Sequence, residues 1–242
     1  MLDIESAPPL LRRRVEEILS RHVQPSSTSL PGGHLLISAL DPIAQAGPQC
    51  GLVALSMASQ LLGLERIEVC DILKMAVKLG FTAQGEIFSA EWLRELACAL
   101  FPVEAEVLEL PSSNKLVSLM MSGCAVMVPY DCDKNHEPAL RNGHGAHWAV
   151  LVGFLIVDVN LETLQHASCD VVVSDDNVFY VFAYHGKSKH MALWSYSGLQ
   201  QSCSQLYESG PNRQPPEYVI PEDGLTQLRG KCVCLRSTNT DS

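Results

Sequence analysis

The chain has 242 residues, of which 47% are hydrophobic, and its 17 basic and 27 acidic residues give a formal net charge of −10. This length and apolar content suit one sizeable core, so we predict a single domain over residues 1–242. The negative charge would repel a phosphate backbone, and no run of about 18 uncharged apolar residues could span a bilayer, so we expect neither a nucleic-acid nor a membrane partner.

Helical periodicity dominates the first half of the sequence. Residues 9–23 put apolar side chains on one face and charged ones around the rest, which predicts an amphipathic helix. A second helix is expected from Cys50 to Leu62, because Pro48 stands just before it and Gly63 just after it. Further helices are predicted over residues 65–80, 88–101 and 113–123.

The periodicity changes in the second half, where short runs rich in Val and aromatic residues are separated by turn residues. These runs predict strands over residues 124–130, 147–157, 177–184, 190–196 and 231–236. The longest run, HWAVLVGFLIV, is almost continuously apolar, which is typical of a strand buried on both faces. Helices followed by strands predict an α+β domain in which N-terminal helices pack on a largely antiparallel sheet.

The cysteine pattern bears on both compartment and chemistry. Nine cysteines without any Cys-x-x-Cys pair predict free thiols in a reducing compartment, and the first residues lack a secretion signal, so we expect a cytoplasmic protein. Cys50 alone stands at a predicted helix start, where free N–H groups and the helix dipole lower the pKa of a thiol. Cys50 is therefore the candidate nucleophile.

Acyl chemistry at a thiolate produces an oxyanion, which a side-chain amide and the backbone N–H of the nucleophile can bind. Gln45 and Gln49 are both candidates for that amide. Gln49 is adjacent to Cys50, where its side chain would tend to point away from the sulfur, whereas Gln45 can fold back across the turn at Gly47 and Pro48. We favour Gln45, with Gln49 as the alternative.

His147 is the candidate base, because it opens the buried strand and follows the flexible loop NGHGA. Asp158 stands at the far end of that strand, about 36 Å away at about 3.3 Å per residue, and cannot orient the imidazole. If this strand pairs antiparallel with the next one, Tyr184 or His185 returns opposite His147. No carboxylate stands there.

A metal site is an alternative reading of the same region. Its ligands would be Cys132, His136, His144 and His147. Their spacing is not one of the familiar structural-zinc patterns, so we predict no metal and no cofactor.

Three blocks of sequence carry a family resemblance: GPQCGLVALSMASQLL, then VPYDCDKNHEP with GHGAHWAVLVGF, then YVFAYHGKSKHMALWSYSGL. A helix that starts at Gln-Cys-Gly, followed by a histidine that heads an apolar strand, resembles the papain-like cysteine peptidases and, within them, the C39-like group. The three ordered blocks are most similar to the actin maturation protease family. The resemblance covers residues 38–210, flanked by an N-terminal helix and loop over 1–37 and a C-terminal loop and strand over 211–242.

The resemblance implies a papain-like fold and a thiol aminopeptidase that removes the acetylated first residue, Met or Cys, from newly made actin. It implies Cys50 as nucleophile, His147 as general base and then acid, and Gln45 as oxyanion donor. C39-type peptidases place an Asp-Pro after the histidine strand, whereas this chain has AYHGKS, which leaves the orienting residue open. The family's proline-rich extension, linked to profilin binding, is represented by the stretch APP at residues 7–9, which weakens the expectation of profilin as a partner.

Three further expectations concern function around His147. The polar loop over residues 134–146 is expected to close over the bound substrate. A positive patch for the acidic N-termini that the resemblance implies would be formed by Lys134, Arg141, Lys187 and Lys189. The alternative function is a catalytically weak papain-like module that binds actin N-termini as a chaperone, which the missing Asp-Pro favours.

Overall fold

The computed structural model describes residues 4–24, 29–213 and 215–239. A 3-10 turn at Ile4–Ser6 precedes the first helix. The helices are α1 (Pro9–Ser20), α2 (Cys50–Leu61), α3 (Val69–Lys78), α4 (Ala90–Leu100), α5 (Ser113–Met121) and α6 (Tyr196–Ser204). The strands are β1 (Gly32–Ile37), β2 (Val103–Glu109), β3 (Ala125–Asp131), β4 (Ala146–Asp158), β5 (Leu164–His166), β6 (Val178–Tyr184), β7 (Ala192–Ser195) and β8 (Lys231–Ser237).

The strands form one sheet organised around β4. The first half of β4 pairs with β3, its second half pairs with β1, and residues 150–157 pair with β6, all in antiparallel register. Strand β8 joins β3 to β2, and β7 extends the sheet beyond β6, again antiparallel. Among the described strands, β1 and β5 run parallel. This largely antiparallel sheet with its helices confirms the predicted α+β class.

The central position of β4 explains why its sequence is apolar throughout. Val150 and Val152 pack into the layer that contains α1 to α4, whereas Leu151 packs into the layer that contains α5 and α6. The register with β6 shifts at Gly153, where a Cβ would lie 2.1 Å from the carbonyl oxygen of Leu36 in β1. Only glycine allows β1 to approach β4 this closely.

Every helix and strand predicted from the sequence is present, with ends shifted by a few residues. The predictions miss β1, β2, β5 and α6. Strand β2, at the end of the sheet, alternates apolar residues with glutamate in VEAEVLE, a strand signal that the predictions overlook, and β5 has 3 residues, too few to show a pattern. Helix α6 follows β7 directly and begins where the Ser195 hydroxyl accepts the Gly198 N–H. The N-terminal loop expected within residues 1–37 lies partly outside the described residues, and Gly32 and Gly33 begin β1.

Within residues 4–24, 29–213 and 215–239, no helix has the length and apolar character needed to cross a bilayer.

Candidate active site

The start of α2 places Cys50 against the beginning of β4. Gly51 makes this approach possible, since a Cβ at that position would lie 3.1 Å from Cδ1 of Trp148 and 3.4 Å from Ile87. The Trp148 indole N–H donates to the Ile87 carbonyl oxygen at 2.8 Å and fixes the ring beside the helix. The Cys-Gly dipeptide thus combines a helix-start thiol with the residue type that the packing requires.

The Cys50 thiol is 9% exposed. Burial raises its pKa, although the backbone N–H groups of Trp148 and Gly51 and the nearby charges of Arg213 and Lys187 act in the opposite direction. The lowered Cys50 pKa expected at a helix N-terminus is therefore wrong, because desolvation outweighs the stabilising groups. The resting site therefore holds a thiol rather than a thiolate.

His147 lies on β4, 7% exposed, and its Nε2 is 2.6 Å from the carbonyl oxygen of His185. A carbonyl oxygen can only accept, so Nε2 must carry the proton and Nδ1 is left as the basic nitrogen. Burial lowers the pKa of His147 to about 4, with further lowering from Lys187 and Arg213 and an opposing effect of the His185 hydrogen bond. The imidazole is therefore neutral at pH 7 and can accept a proton.

His185, immediately after β6, supplies the group that orients His147. Neither Tyr184 nor His185 is paired with His147 as expected, because the antiparallel register pairs Tyr184 with Val150; the chain that follows Tyr184 then passes the start of β4. The partner is the backbone carbonyl of His185, whereas its imidazole stacks on His136 at 5.3 Å between ring centroids. A main-chain oxygen thus stands where the sequence analysis looks for a side chain.

Gln45 and Gln49 occupy different environments. Gln45 lines the same cavity as Cys50 and His147, and its backbone N–H donates to the Gly186 carbonyl oxygen at 2.7 Å. The Gln45 side-chain amide donates one N–H to the carbonyl oxygen of Gly47 and retains a second N–H. Gln49 instead packs against Gly85. A Cβ added at Gly85 would lie 2.6 Å from Cγ of Gln49.

A cavity of about 310 Å³ contains the candidate residues. Its lining comprises Gln45, Gly47, Pro48, Cys50, Glu86, Ile87, Phe88, Ala146, His147, Trp148, Lys187, Arg213 and Leu228. Sequence reasoning missed Glu86 and Arg213, because both lie in irregular segments without periodicity or a motif. The Arg213 guanidinium donates to the Ala146 carbonyl oxygen at 3.2 Å and lies 5.8 Å from the centre of the Phe88 ring.

The expected positive patch is divided by the fold. Lys187 lines the catalytic cavity, but Lys189 lines a separate one together with Leu10 and Met191. Arg141 donates its guanidinium to the Cys132 carbonyl oxygen and is not part of either lining. The positive charge at the catalytic cavity therefore comes from Lys187 and Arg213.

The loop before His147 is held by a buried aspartate that the sequence analysis did not single out. The Asp131 carboxylate accepts the backbone N–H groups of Arg141, Gly143 and Gly145 at 2.6, 2.9 and 2.7 Å, and a side-chain N–H of Gln205 at 2.7 Å. Before Ala146, none of the loop residues line the cavity. These contacts argue against the expected closing lid and assign the loop to support of β4.

The proposed zinc ligands do not assemble. His144 Nε2 is 2.9 Å from an oxygen of Glu208, and His136 stacks on His185. In the described ranges, no group of three or more His, Cys, Asp or Glu side chains is arranged to hold a metal ion.

Comparisons with known proteins place the chain among relatives of similar sequence. A family model described as "Actin maturation protease-like, C-terminal domain" matches residues 40–155. Proteins named actin maturation protease from Xenopus tropicalis, Drosophila melanogaster and Danio rerio are 38%, 36% and 36% identical to this chain. The alignments cover 76%, 85% and 82% of this chain and 67%, 72% and 73% of those relatives, respectively.

A solved structure supports the fold independently. The crystal structure of a putative C39-like peptidase from Bacillus anthracis superposes with a TM-score of 0.50, over 84% of this chain and 97% of that chain, at 11% sequence identity. This likeness confirms the papain-like, C39-like fold class, and the sequence relatives specify the branch within it. The chain belongs to the actin maturation protease family, a family of peptidases.

Proposed function

We propose that this chain is a cysteine aminopeptidase that removes the acetylated N-terminal Met or Cys from newly made actin through a thioester intermediate. The observation that carries the proposal is the convergence of Cys50, His147 and Gln45 on one cavity. The His147 hydrogen bond to the His185 carbonyl adds to it, because it leaves Nδ1 as the base. A neutral thiol and a neutral imidazole form a competent pair when proton transfer accompanies attack.

Acylation begins at the carbonyl carbon of the acetylated first residue. As the Cys50 sulfur bonds to that carbon, Nδ1 of His147 takes the thiol proton and the carbonyl oxygen becomes an oxyanion. The backbone N–H of Cys50, at the first position of α2, and the second side-chain N–H of Gln45 bind this oxyanion. The imidazolium then protonates the departing nitrogen, the C–N bond breaks, and shortened actin leaves with a free amino group.

Deacylation uses the same groups in reverse order. His147 takes a proton from water as the oxygen bonds to the thioester carbon, and the oxyanion forms again beside Gln45. The C–S bond then breaks and the sulfur recovers the proton from His147. The released product is the N-acetyl amino acid.

The choice of actin rests on the names of the relatives, each called an actin maturation protease. An acidic N-terminus would meet Lys187 and Arg213 in the cavity, even though the whole chain carries a net charge of −10. Local positive charge of this kind offsets unfavourable long-range repulsion. Profilin is not needed for the chemistry.

The test is to incubate the purified chain and its Cys50→Ala variant with an N-acetyl-Met actin peptide and with intact acetylated actin, and to follow the mass of each substrate. We expect loss of one acetylated residue with the wild type alone. Comparison of the two substrates shows whether folded actin is required. Retention of the acetylated residue on both substrates contradicts the proposal.

A second candidate is an actin-binding chaperone with weak turnover. The specific observation in its favour is that a backbone carbonyl, and no carboxylate, accepts the Nε2 proton of His147. Such a partner stabilises the imidazolium less than a charged one. A substrate-like probe separates the two candidates: on an N-acetyl-Met peptide with an electrophile in place of the scissile carbonyl, an active Cys50 forms an adduct, whereas the exposed thiols of Cys70, Cys98 and Cys169 lie outside the cavity and do not.

A further inference from the structure

Glu86 is a buried acidic residue in the wall of the catalytic cavity, and the mechanism above does not use it. It lies between α3 and α4, in a segment fixed on both sides. The Gly85 N–H donates to the Thr82 hydroxyl at 2.7 Å, and the Ile87 carbonyl oxygen accepts the indole N–H of Trp148. The backbone that carries Glu86 is thus attached to the residue that follows His147.

The Glu86 carboxyl is incompletely satisfied. The residue is only 7% exposed, and its Oε2 has no hydrogen-bond partner in the described part of the chain. Burial raises the pKa of this carboxyl, while its own backbone N–H and the charge of Arg213 act in the opposite direction. A buried acceptor without a partner is unfavourable, so its presence at a cavity points to a ligand group that completes it.

Besides Glu86, the cavity lining offers one other buried side-chain oxygen without a partner in the described part of the chain, that of Gln45, whose amide is assigned to the oxyanion. The remaining polar groups leave few acceptors for a substrate. The side chains of Lys187 and Arg213 are donors only, and His147 Nδ1 is required for proton transfer. Backbone carbonyl oxygens that already accept hydrogen bonds are those of Gly47, Ala146 and Ile87. The terminal torsion of a glutamate is broad and roughly two-fold, so either Glu86 oxygen can turn towards a bound group.

We propose that Glu86 is a specificity-determining residue that accepts a hydrogen bond from the amide N–H of the acetylated first residue. This inference rests on the proposed function, because that N–H belongs to the acetamido group one carbon away from the carbon that Cys50 attacks. Gln45 and the start of α2 bind the carbonyl oxygen, and Glu86 fixes the amide on the other side of the same residue. Two contacts on either side of the first Cα set where cleavage occurs.

A glutamate in an aminopeptidase site can alternatively hold a free ammonium group. Glu86 differs from such an anchor because Lys187 and Arg213 line the same cavity and disfavour a third cation. A neutral amide N–H, by contrast, needs only an acceptor oxygen and brings no further positive charge into the cavity. The chemistry of the lining therefore favours an acylated amino end.

The test compares two substrates that differ at one atom. One is the N-acetyl-Met actin peptide, and the other has an ester oxygen in place of the first amide nitrogen, so that an acetoxy group replaces the acetamido group. Glu86→Leu removes the acceptor oxygens and leaves a side chain of similar size. Glu86→Gln keeps one acceptor oxygen and is the matched control. Turnover is measured as kcat/KM, and binding of both ligands is measured in a Cys50→Ala background with and without Glu86→Leu.

We expect the wild type to prefer the acetamido peptide by about tenfold to hundredfold, the effect of one hydrogen bond to a charged or strongly polar group. Glu86→Leu should lose this preference, and Glu86→Gln should retain most of it. An equal preference for the acetamido over the acetoxy peptide in the wild type and in Glu86→Leu overturns the inference. The peptide with a free amino group serves as a third substrate, and if the wild type prefers it to the acetamido peptide and Glu86→Gln does not, the inference is overturned as well.

The same experiment separates failure of this inference from failure of the proposed function. If the wild type does not cleave the acetamido peptide, the proposed function fails, but the binding preference in the Cys50→Ala background still decides the role of Glu86. Absence of binding of both ligands overturns the inference. The alkylation rate of Cys50 by iodoacetamide and the unfolding temperature should be similar in Glu86→Leu and Glu86→Gln, which excludes a purely structural effect.

Discussion

The cavity at Cys50 and the thiol cluster of Cys124, Cys232 and Cys234 are two regions in which this protein buries cysteine. In the cluster, the sulfur atoms of Cys232 and Cys234 are 3.9 Å apart, and a hydrogen bond with Cys234 together with burial raises the pKa of Cys124. Burial also raises the pKa of Cys50. A buried thiol with a raised pKa is therefore common to both regions and does not by itself identify a nucleophile.

The difference between the two regions lies in space and in the neighbouring groups. The cavity beside the thiol cluster has a volume of about 20 Å³, against about 310 Å³ at Cys50. The residues that line the smaller cavity include Arg236 but no histidine, whereas His147 lines the larger one. Room for an acyl group and a base with a fixed proton are what distinguish Cys50, and the following experiments test that distinction.

The largest expected effect is that of removing the thiol. Cys50→Ala should lower kcat/KM on the acetylated peptide by at least about 1,000-fold, because covalent catalysis is lost. Cys234→Ala is the matched control from the thiol cluster and should stay within about threefold of the wild type. Comparable losses in the two variants would show that the distinction between the regions is wrong.

Gln45 tests the oxyanion site. Gln45→Ala should lower kcat by about 100-fold, the usual effect of removing one oxyanion donor, with a smaller change in KM. Gln49→Ala is the control and should remain near wild-type activity, since its side chain packs towards Gly85 rather than into the cavity. A larger loss of kcat in Gln49→Ala than in Gln45→Ala would show that Gln49, and not Gln45, binds the oxyanion.

Lys187 tests the charge at the cavity. Lys187→Glu should raise KM for acetylated actin by about tenfold at low salt and by less at high salt, because ions screen the repulsion that it introduces. Lys189→Glu makes the same charge change at the separate cavity and should have a smaller effect. A KM that does not depend on salt in either variant argues against electrostatic recognition.

The pH dependence of activity tests the neutral thiol and imidazole. Burial lowers the pKa of His147 to about 4, so the imidazole remains a base as the pH falls from 7.5 to 5.5. We expect kcat/KM to change by less than about twofold over this range and to fall only as the pH approaches 4. A decline centred near pH 6.5 would instead indicate a solvated histidine.

The sequence predicts much of the scaffold that positions these groups. The strand that begins at His147 is recognisable from its almost continuous apolar sequence, which the structure buries on both faces. The helix at Cys50 is recognisable because Pro48 and Gly63 mark its ends. Antiparallel pairing returns the end of β6 towards the start of β4: the register pairs Tyr184 with Val150, and the carbonyl oxygen of the next residue, His185, lies 2.6 Å from Nε2 of His147. Local periodicity and punctuation are therefore sufficient to bring the candidate nucleophile and base together.

Other parts of the site depend on tertiary contacts that a sequence pattern does not contain. The partner of His147 is a backbone oxygen, which every residue has, so no residue type reveals it. Glu86 and Arg213 enter the cavity from loops far apart in the chain, and Asp131 acts through hydrogen bonds to the backbone. The pKa of Cys50 likewise depends on burial, which outweighs the effect of the helix terminus.

The most direct test of the account is to look for the acyl-enzyme. The wild-type chain is mixed with the N-acetyl-Met actin peptide, quenched in acid within the first turnover, and analysed by intact mass and peptide mapping. We predict an added acetyl-methionyl group on Cys50, its accumulation in a variant impaired in deacylation, and its absence from Cys50→Ala. Product formation without any adduct, or an adduct on another cysteine, would contradict nucleophilic catalysis by Cys50.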